Sequence, residues 1–288
     1  MKVLMASDFS TGSDLALDRA TFLVRQYQAQ LVLLHVLEAS DSSLVGALPA
    51  LDRLRQEMET ALRNKAASKG IQCEIRVRIG KDFVDIILEA RERQVDLIIV
   101  GAHGRHYIKD ALFGTTAERV ISKGDRPILV VKRPAQGPYM RVLVGIDFSP
   151  ESRNALEYAM KIFPQAELYI LNVCGLVYEG KLRQVGLRDE EILSLDNVEY
   201  MRHLKELDRF LSGTAAYSIA KRLVAKGYPA TIILAQAAHL KADLIVVGTR
   251  GASGLKYILI GSVARHILRD ADCDVLAVRC ERPSFELP

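Results

Sequence analysis

Apolar residues along this chain come in short runs, separated by longer stretches of helical period. In the first half the runs cover residues 3–6, 31–36, 73–77, 95–100 and 127–131. Between them Leu17, Ala20, Val24 and Tyr27 recur on one helical face, as do Leu51, Leu54, Met58 and Leu62. The order is β-α-β-α-β-α-β-α-β. Strands joined through helices pair in parallel, and stretches apolar at nearly every position, such as 31–34 and 97–100, suit strands covered on both faces. The pattern predicts an α/β fold built on a doubly wound, five-stranded parallel sheet.

The second half repeats the first. Laying residues 140–159 over residues 1–20 gives ten identities in twenty positions, among them Asp147-Phe148-Ser149 over Asp8-Phe9-Ser10. Further on, residues 242–248 match residues 95–101, but at an offset eight positions larger, so the second copy carries extra residues between these landmarks. The excess falls at about residues 175–200 and includes Tyr178, Lys181, Arg183, Arg188 and the acidic pair Glu190-Glu191. It reads as a surface excursion, with a lid over a nearby site as the alternative; helical periodicity resumes at Leu204, Leu207 and Leu211. Residues 133–138 have the Pro/Gly character of a linker. The expected domains are therefore residues 1–135 and 139–288.

In a doubly wound sheet, ligands sit beyond the carboxyl ends of the strands, where the strand order reverses. After the fourth strand the first copy reads Gly101-Ala102-His103-Gly104, then nine residues, then Gly114-Thr115-Thr116. The second reads Gly248-Thr249-Arg250-Gly251, then nine residues, then Gly261-Ser262-Val263. The first two glycines allow a sharp turn off the strand with bare amides, and the third opens a helix. A helix start offers unpaired N–H groups and the positive end of its dipole, which together suit a phosphate. Alone, each glycine reads as a turn and Thr115 or Ser262 as a helix cap; the same three-point spacing occurring twice favours the anion site. Neither GxxxxGK[ST] nor GxGxxG occurs, which sets aside the P-loop and the dinucleotide fingerprint.

This set, Gly-x2-Gly-x9-Gly-[Ser/Thr] with Asp-Phe-Ser after the first strand, resembles the ATP-binding branch of the universal stress protein family, over nearly the whole chain and in both halves. The resemblance implies a tandem member whose ligand is ATP. Around its phosphates and ribose would lie Gly101, Gly104, Gly114, Thr115 and Thr116 in the first copy, and Gly248, Gly251, Gly261, Ser262 and Val263 in the second. Asp8 and Asp147 would lie near the nucleoside, and the backbone of Val36 and Val173 would meet adenine. Asp8 and Asp147 have helix capping as a competing role, which Ser10, Ser13, Ser149 and Ser152 could fill, and contact with ribose or a magnesium-bound water as further options. Departures from the common pattern are Thr115-Thr116, His103 and His106 in the first loop, and Arg250, able to reach a phosphate or simply to be solvated.

The 288 residues suit two domains, and 49% hydrophobic with 26% charged residues is ordinary for a folded chain. The net charge of +4 is spread over both halves, which does not imply nucleic acid. No apolar run approaches the roughly 18 residues of a membrane span, and the first ten residues read as a strand and not as a secretory signal; a cytoplasmic protein is expected. Cys73, Cys174, Cys273 and Cys280 lack metal-site spacing and read as scattered core thiols. The last strand of each copy, residues 127–132 and 274–279, would be an apolar sheet edge in need of a partner. Such strands mediate dimerisation in the family resembled, which implies an internal pseudo-dimer of the two halves and leaves a homodimer of chains open. No general base stands out beside the terminal phosphate, His103 excepted by position, so catalysis is uncertain and at most slow. An ATP-binding stress-response regulator with a protein partner is the leading expectation. A slow ATP hydrolase or phosphotransferase, and a scaffold that binds no nucleotide, are the alternatives.

Overall fold

A computed structural model describes residues 1–38, 48–102, 114–174, 184, 188–249 and 260–279. The chain forms two compact units, Met1–Pro138 together with Asp272–Pro288, and Tyr139–Ala271.

The first unit runs β1 (Lys2–Ala6), α1 (Thr11–Tyr27), β2 (Gln30–Glu38), α2 (Leu48–Ser68), β3 (Glu74–Gly80), α3 (Asp82–Glu92), β4 (Leu97–Gly101), α4 (Thr115–Lys123) and β5 (Ile128–Val131). The strands lie in the order β3-β2-β1-β4-β5, all parallel. The order reverses between β1 and β4, since the chain first builds outward through β2 and β3 and then returns to the other side of β1. The second unit repeats this with β6 (Arg141–Ile146), α5 (Pro150–Ile162), β7 (Glu167–Cys174), α6 (Asp189–Leu211), a short α7 (Ala216–Ile219), β8 (Lys221–Lys226), α8 (Pro229–Leu240), β9 (Leu244–Gly248) and α9 (Ser262–Asp270). Its parallel strands lie in the order β8-β7-β6-β9. The α/β class and the doubly wound parallel arrangement are as the hydrophobic pattern predicts.

The apolar runs are the cores. Val3, Leu4 and Met5 in β1, Leu97, Ile98 and Ile99 in β4, and Val142, Leu143 and Val144 in β6 are fully buried, because helices cover both faces of these central strands. The helical stripe residues Leu17 and Ala20 pack on the first sheet. Serine starts the helix after the first strand of each copy: Ser10 Oγ accepts from Ser13 N at 3.1 Å, and Ser149 Oγ from Ser152 N at 3.2 Å. The second copy's extra residues contain more helix than the period alone suggests. α6 already begins at Asp189, its first turn held by Glu191, whose carboxylate accepts the N–H of Arg188 at 2.9 Å.

The last strand, β10 (Asp274–Val278), clusters with the first unit and not with the copy that encodes it. It pairs antiparallel with β5, Val275 opposite Val130 and Ala277 opposite Ile128, so the apolar edge of β5 finds its partner there. Asp274 fastens it: its Oδ1 accepts from Lys132 N at 2.8 Å and Arg133 N at 3.2 Å, and its Oδ2 stands 3.4 Å from Arg19 Nε on α1. Arg19 also donates to Gly137 O at 2.7 Å. Among the described residues no helix is long and apolar enough to cross a membrane.

Candidate functional site

The second unit contains a cleft of about 370 Å³ at the carboxyl ends of β6 and β9, the pair between which strand order reverses. That volume is within the ~300–1,000 Å³ usual for small-molecule sites. Ile146, Leu171, Ile233 and Val247 give it apolar walls, while Asp147, Ser152, Asn172, His203 and Ser262 supply the polar groups.

One side is the turn after β6. Asp147 Oδ1 accepts from Ser149 N at 3.1 Å and from the Ser149 hydroxyl, so the aspartate braces the serine that caps α5. Between them Phe148 takes a left-handed backbone, φ 63°, a conformation that costs a bulky side chain about 1–3 kcal/mol. The first copy reproduces every part of this turn: Asp8 Oδ1 accepts from Ser10 N at 3.0 Å and Ser10 Oγ at 2.5 Å, and Phe9 has φ 61°. Capping is thus the work of Ser10 and Ser149. The aspartates act one step back, holding the capping residue at the mouth of the cleft.

Facing this turn is the start of α9. Gly261 N donates to Thr249 O at 2.8 Å, which closes the loop onto the end of β9, and the first helical hydrogen bond runs from Arg265 N to Gly261 O at 2.9 Å. The amides of Ser262, Val263 and Ala264 precede that bond, in the first turn where helix N–H groups lack an intrahelical acceptor, and belong to residues that line the cleft. α4 begins in the same way, with Gly114 N donating to Ala102 O at 3.1 Å and Glu118 N to Gly114 O at 3.0 Å. A helix start of this kind favours a negative charge by its dipole and bare N–H groups.

The third side is β7 and α6. Asn172 Nδ2 donates to Ile146 O at 2.8 Å, Asn172 Oδ1 is 2.6 Å from His203 Nδ1, and His203 Nε2 is 3.1 Å from Glu199 Oε1. The Arg202 guanidinium hydrogen-bonds Glu199 and holds its carboxyl well below the usual range, at about 2. A polar chain thus runs from surface to cleft floor, and the Phe148 ring lies beside it, 5.9 Å from His203 and 5.7 Å from Phe210.

The sequence profile described as "Universal stress protein family" matches residues 1–132 and again residues 138–279. The chain belongs to that family. Among its relatives, a universal stress protein of Mycolicibacterium smegmatis is 26% identical over 299 residues, covering 96% of each chain. The universal stress protein YxiE of Bacillus subtilis is 32% identical over 145 residues, which is 46% of this chain and 98% of that one. The crystal structure of a universal stress protein from Archaeoglobus fulgidus shares the fold, with a TM-score of 0.70 at 22% identity over 96% of this chain and 98% of that chain.

In this universal stress protein the residues singled out by motif are placed as follows. Asp147, Val173, Gly248, Gly261, Ser262 and Val263 all line this cleft of the second unit. In the first unit Asp8 follows β1, Val36 is near the end of β2, Gly101 ends β4, and Gly114, Thr115 and Thr116 open α4, the corresponding positions. Gly101 packs against α1 so closely that a Cβ there would be 2.5 Å from the Gly12 carbonyl carbon. The Thr116 hydroxyl donates to Asp82 on α3. His103, Gly104, Arg250 and Gly251 lie outside the described residues.

Asn172, His203, Pro229 and Ile233 line the cleft without having been singled out by motif. Asn172 had a legible signal, a polar residue inside an apolar strand, matched in the first copy by His35, which makes the same bond: His35 Nδ1 is 2.7 Å from Ser7 O. His203 stands one turn after Glu199, a spacing that marks a polar pair but says nothing of which face meets the cleft.

Proposed function

We propose that this universal stress protein binds an adenine nucleotide, ATP, in the cleft of its second unit, and that the bound form acts as a stress-response regulator recognised by a protein partner. The observation that carries the reading is that six residues chosen from the glycine motif and its companions converge on a single cleft at the switch point of the sheet. The phosphates would meet the amides at the start of α9 and the Ser262 hydroxyl, an anion site by dipole and donor geometry. Ribose would lie toward Asp147, and the base between Val173 and the apolar wall of Ile146, Leu171 and Val247. The choice of adenine over other bases comes from the family resemblance of the motif.

The cleft supports a binder more than a catalyst. Among the described residues its titratable side chains, Asp147 and His203, are both engaged by protein groups, the first bracing Ser149 and the second held between Asn172 and Glu199.

Calorimetric titration with ATP, with and without magnesium, tests the reading, together with mass spectrometry of small molecules released by heating the purified protein. Saturable binding that is lost in Gly261→Val, whose side chain would crowd the amides, is expected. A folded protein that neither releases nor binds an adenine nucleotide rules it out.

A further inference from the structure

The two copies differ in the residues set beside the helix start that follows the glycine loop. Asp82 and Pro229, Thr115 and Ser262, and the strand starts Glu74 and Lys221 all stand 147 positions apart, so the surroundings of the two helix starts can be compared residue by residue. In the second unit Pro229 and Val263 both line the cleft and neither carries a charge. In the first unit the same positions are Asp82 and Thr116, and they are bonded: the Thr116 hydroxyl donates to Asp82 Oδ2, while Asp82 Oδ1 accepts from Phe83 N at 2.6 Å. A carboxylate therefore already sits against the first turn of α4, where the second unit presents a helix start to the cleft. The first turn of α4 also carries Glu118, where α9 has Arg265. Of the cations on these two helices, Arg119 and Lys123 stand over the Phe83 ring, 5.5 and 4.9 Å from its centre.

We propose that Asp82, held by Thr116, is the residue that makes the two clefts unlike: it supplies the first unit's helix start with an internal anion and repels a polyphosphate, so the chain binds one nucleotide, in the second unit. A fixed carboxylate satisfies the positive helix end as a phosphate would, and like charges at contact distance oppose each other strongly where water is displaced. The glycine motif is therefore present twice while only one copy is open to its ligand. This inference rests on the nucleotide reading of the second cleft, and its test separates the two.

The experiment is binding stoichiometry, by native mass spectrometry and calorimetry on the full chain with ATP as probe. Wild type is expected to take one ATP. The double variant Asp82→Ala with Thr116→Val is expected to take two, its second-unit binding serving as the control that the chain is folded. The reverse change, Pro229→Asp with Val263→Thr, is expected to weaken binding at least tenfold. Two ATP per wild-type chain overturns the inference, as does a double variant that still takes one. No ATP on wild type but one on the double variant upholds the role of Asp82 and removes the nucleotide from the second cleft; no ATP on either overturns both.

Discussion

His203 Nδ1 stands 2.6 Å from Asn172 Oδ1, and this contact ties α6 to the floor of the cleft. The Asn172 amide nitrogen donates to Ile146 O, which fixes the amide orientation and leaves its oxygen facing the histidine. The oxygen can only accept, so the Nδ1 atom of His203 carries the hydrogen. In the first unit an imidazole also lies beside the phenylalanine of the left-handed turn, His35 against Phe9 at 4.8 Å, but it comes from the strand and meets the backbone carbonyl directly. The second copy has moved the ring to the helix and set an amide between ring and carbonyl.

Replacing His203 by alanine leaves the Asn172 oxygen without its donor and loosens one wall of the cleft. Losing a partner for a buried acceptor costs about 1–3 kcal/mol of stability, and ATP affinity should fall because the loosened wall must be re-ordered on binding. His203→Gln, which can still donate to Asn172, should restore most of it. Equal affinities for wild type and His203→Ala in calorimetry would show that α6 does not shape the site.

Glu199 gives the second unit an acid-side dependence. Its carboxyl is held at about 2 by the hydrogen bond from Arg202, against an ordinary value near 4.5. A depressed carboxyl adds stability above the unfolded-state value, and that contribution fades as pH falls from about 4.5 to about 2. The pair is exposed, so the effect is small and screened by salt. Thermal unfolding of wild type and Glu199→Gln should therefore converge as pH falls through this window. A constant difference across it would place the stabilisation elsewhere.

Gly101 is required for packing, apart from any ligand. A Cβ there would fall 2.5 Å from Gly12 C and 2.6 Å from Gly12 O, backbone atoms that cannot swing aside. Gly101→Ala should destabilise the first unit by about 1–3 kcal/mol, the cost of overpacking, measured by denaturant unfolding. ATP stoichiometry should stay unchanged, because the proposed site is in the other unit. Unchanged stability would mean that α1 can retreat from β4.

The strands and their parallel pairing were legible because residues such as Leu31–Leu34 and Leu97–Val100 are apolar at successive positions, a pattern that suits a strand covered on both faces, and helices alternate with them. The convergence of Asp147, Gly248 and Gly261 followed from the same logic, since ends of neighbouring parallel strands must meet. Asp82 and His203 escaped, and for a shared reason. Each lies on a helix whose rotation about its axis decides what the side chain faces, and periodicity fixes the buried stripe without fixing the residues at its margin. Docking of β10 beside β5 was half legible: both edges read as apolar and in need of a partner, but nothing local in Asp274 announces that its carboxylate will find Arg19, more than 250 positions away.

Asp274 should control whether β10 stays docked. Its carboxylate is 2% exposed, serves two backbone N–H groups, and faces Arg19, itself 6% exposed. Asp274→Ala removes the carboxylate that faces a buried guanidinium, and breaking a buried pair typically costs about 3–5 kcal/mol. The neighbouring Cys273 reports on this locally. It is 5% exposed, and its thiol is pushed up to about 11, by burial first and then by the Asp274 charge. In the native protein at pH 8 it should resist maleimide, as should Cys174, buried with its thiol on Ala225 O at 3.3 Å, while the half-buried Cys73 reacts. In Asp274→Ala, Cys273 should become reactive and Cys174 should stay protected, because only the first unit loses its strand. Peptide mass mapping of the labelled protein distinguishes the three sites. Cys273 remaining inert in the variant would mean that the β5–β10 ladder holds without the ion pair, whereas labelling of Cys174 as well would mean that the loss of Asp274 unfolds both units together.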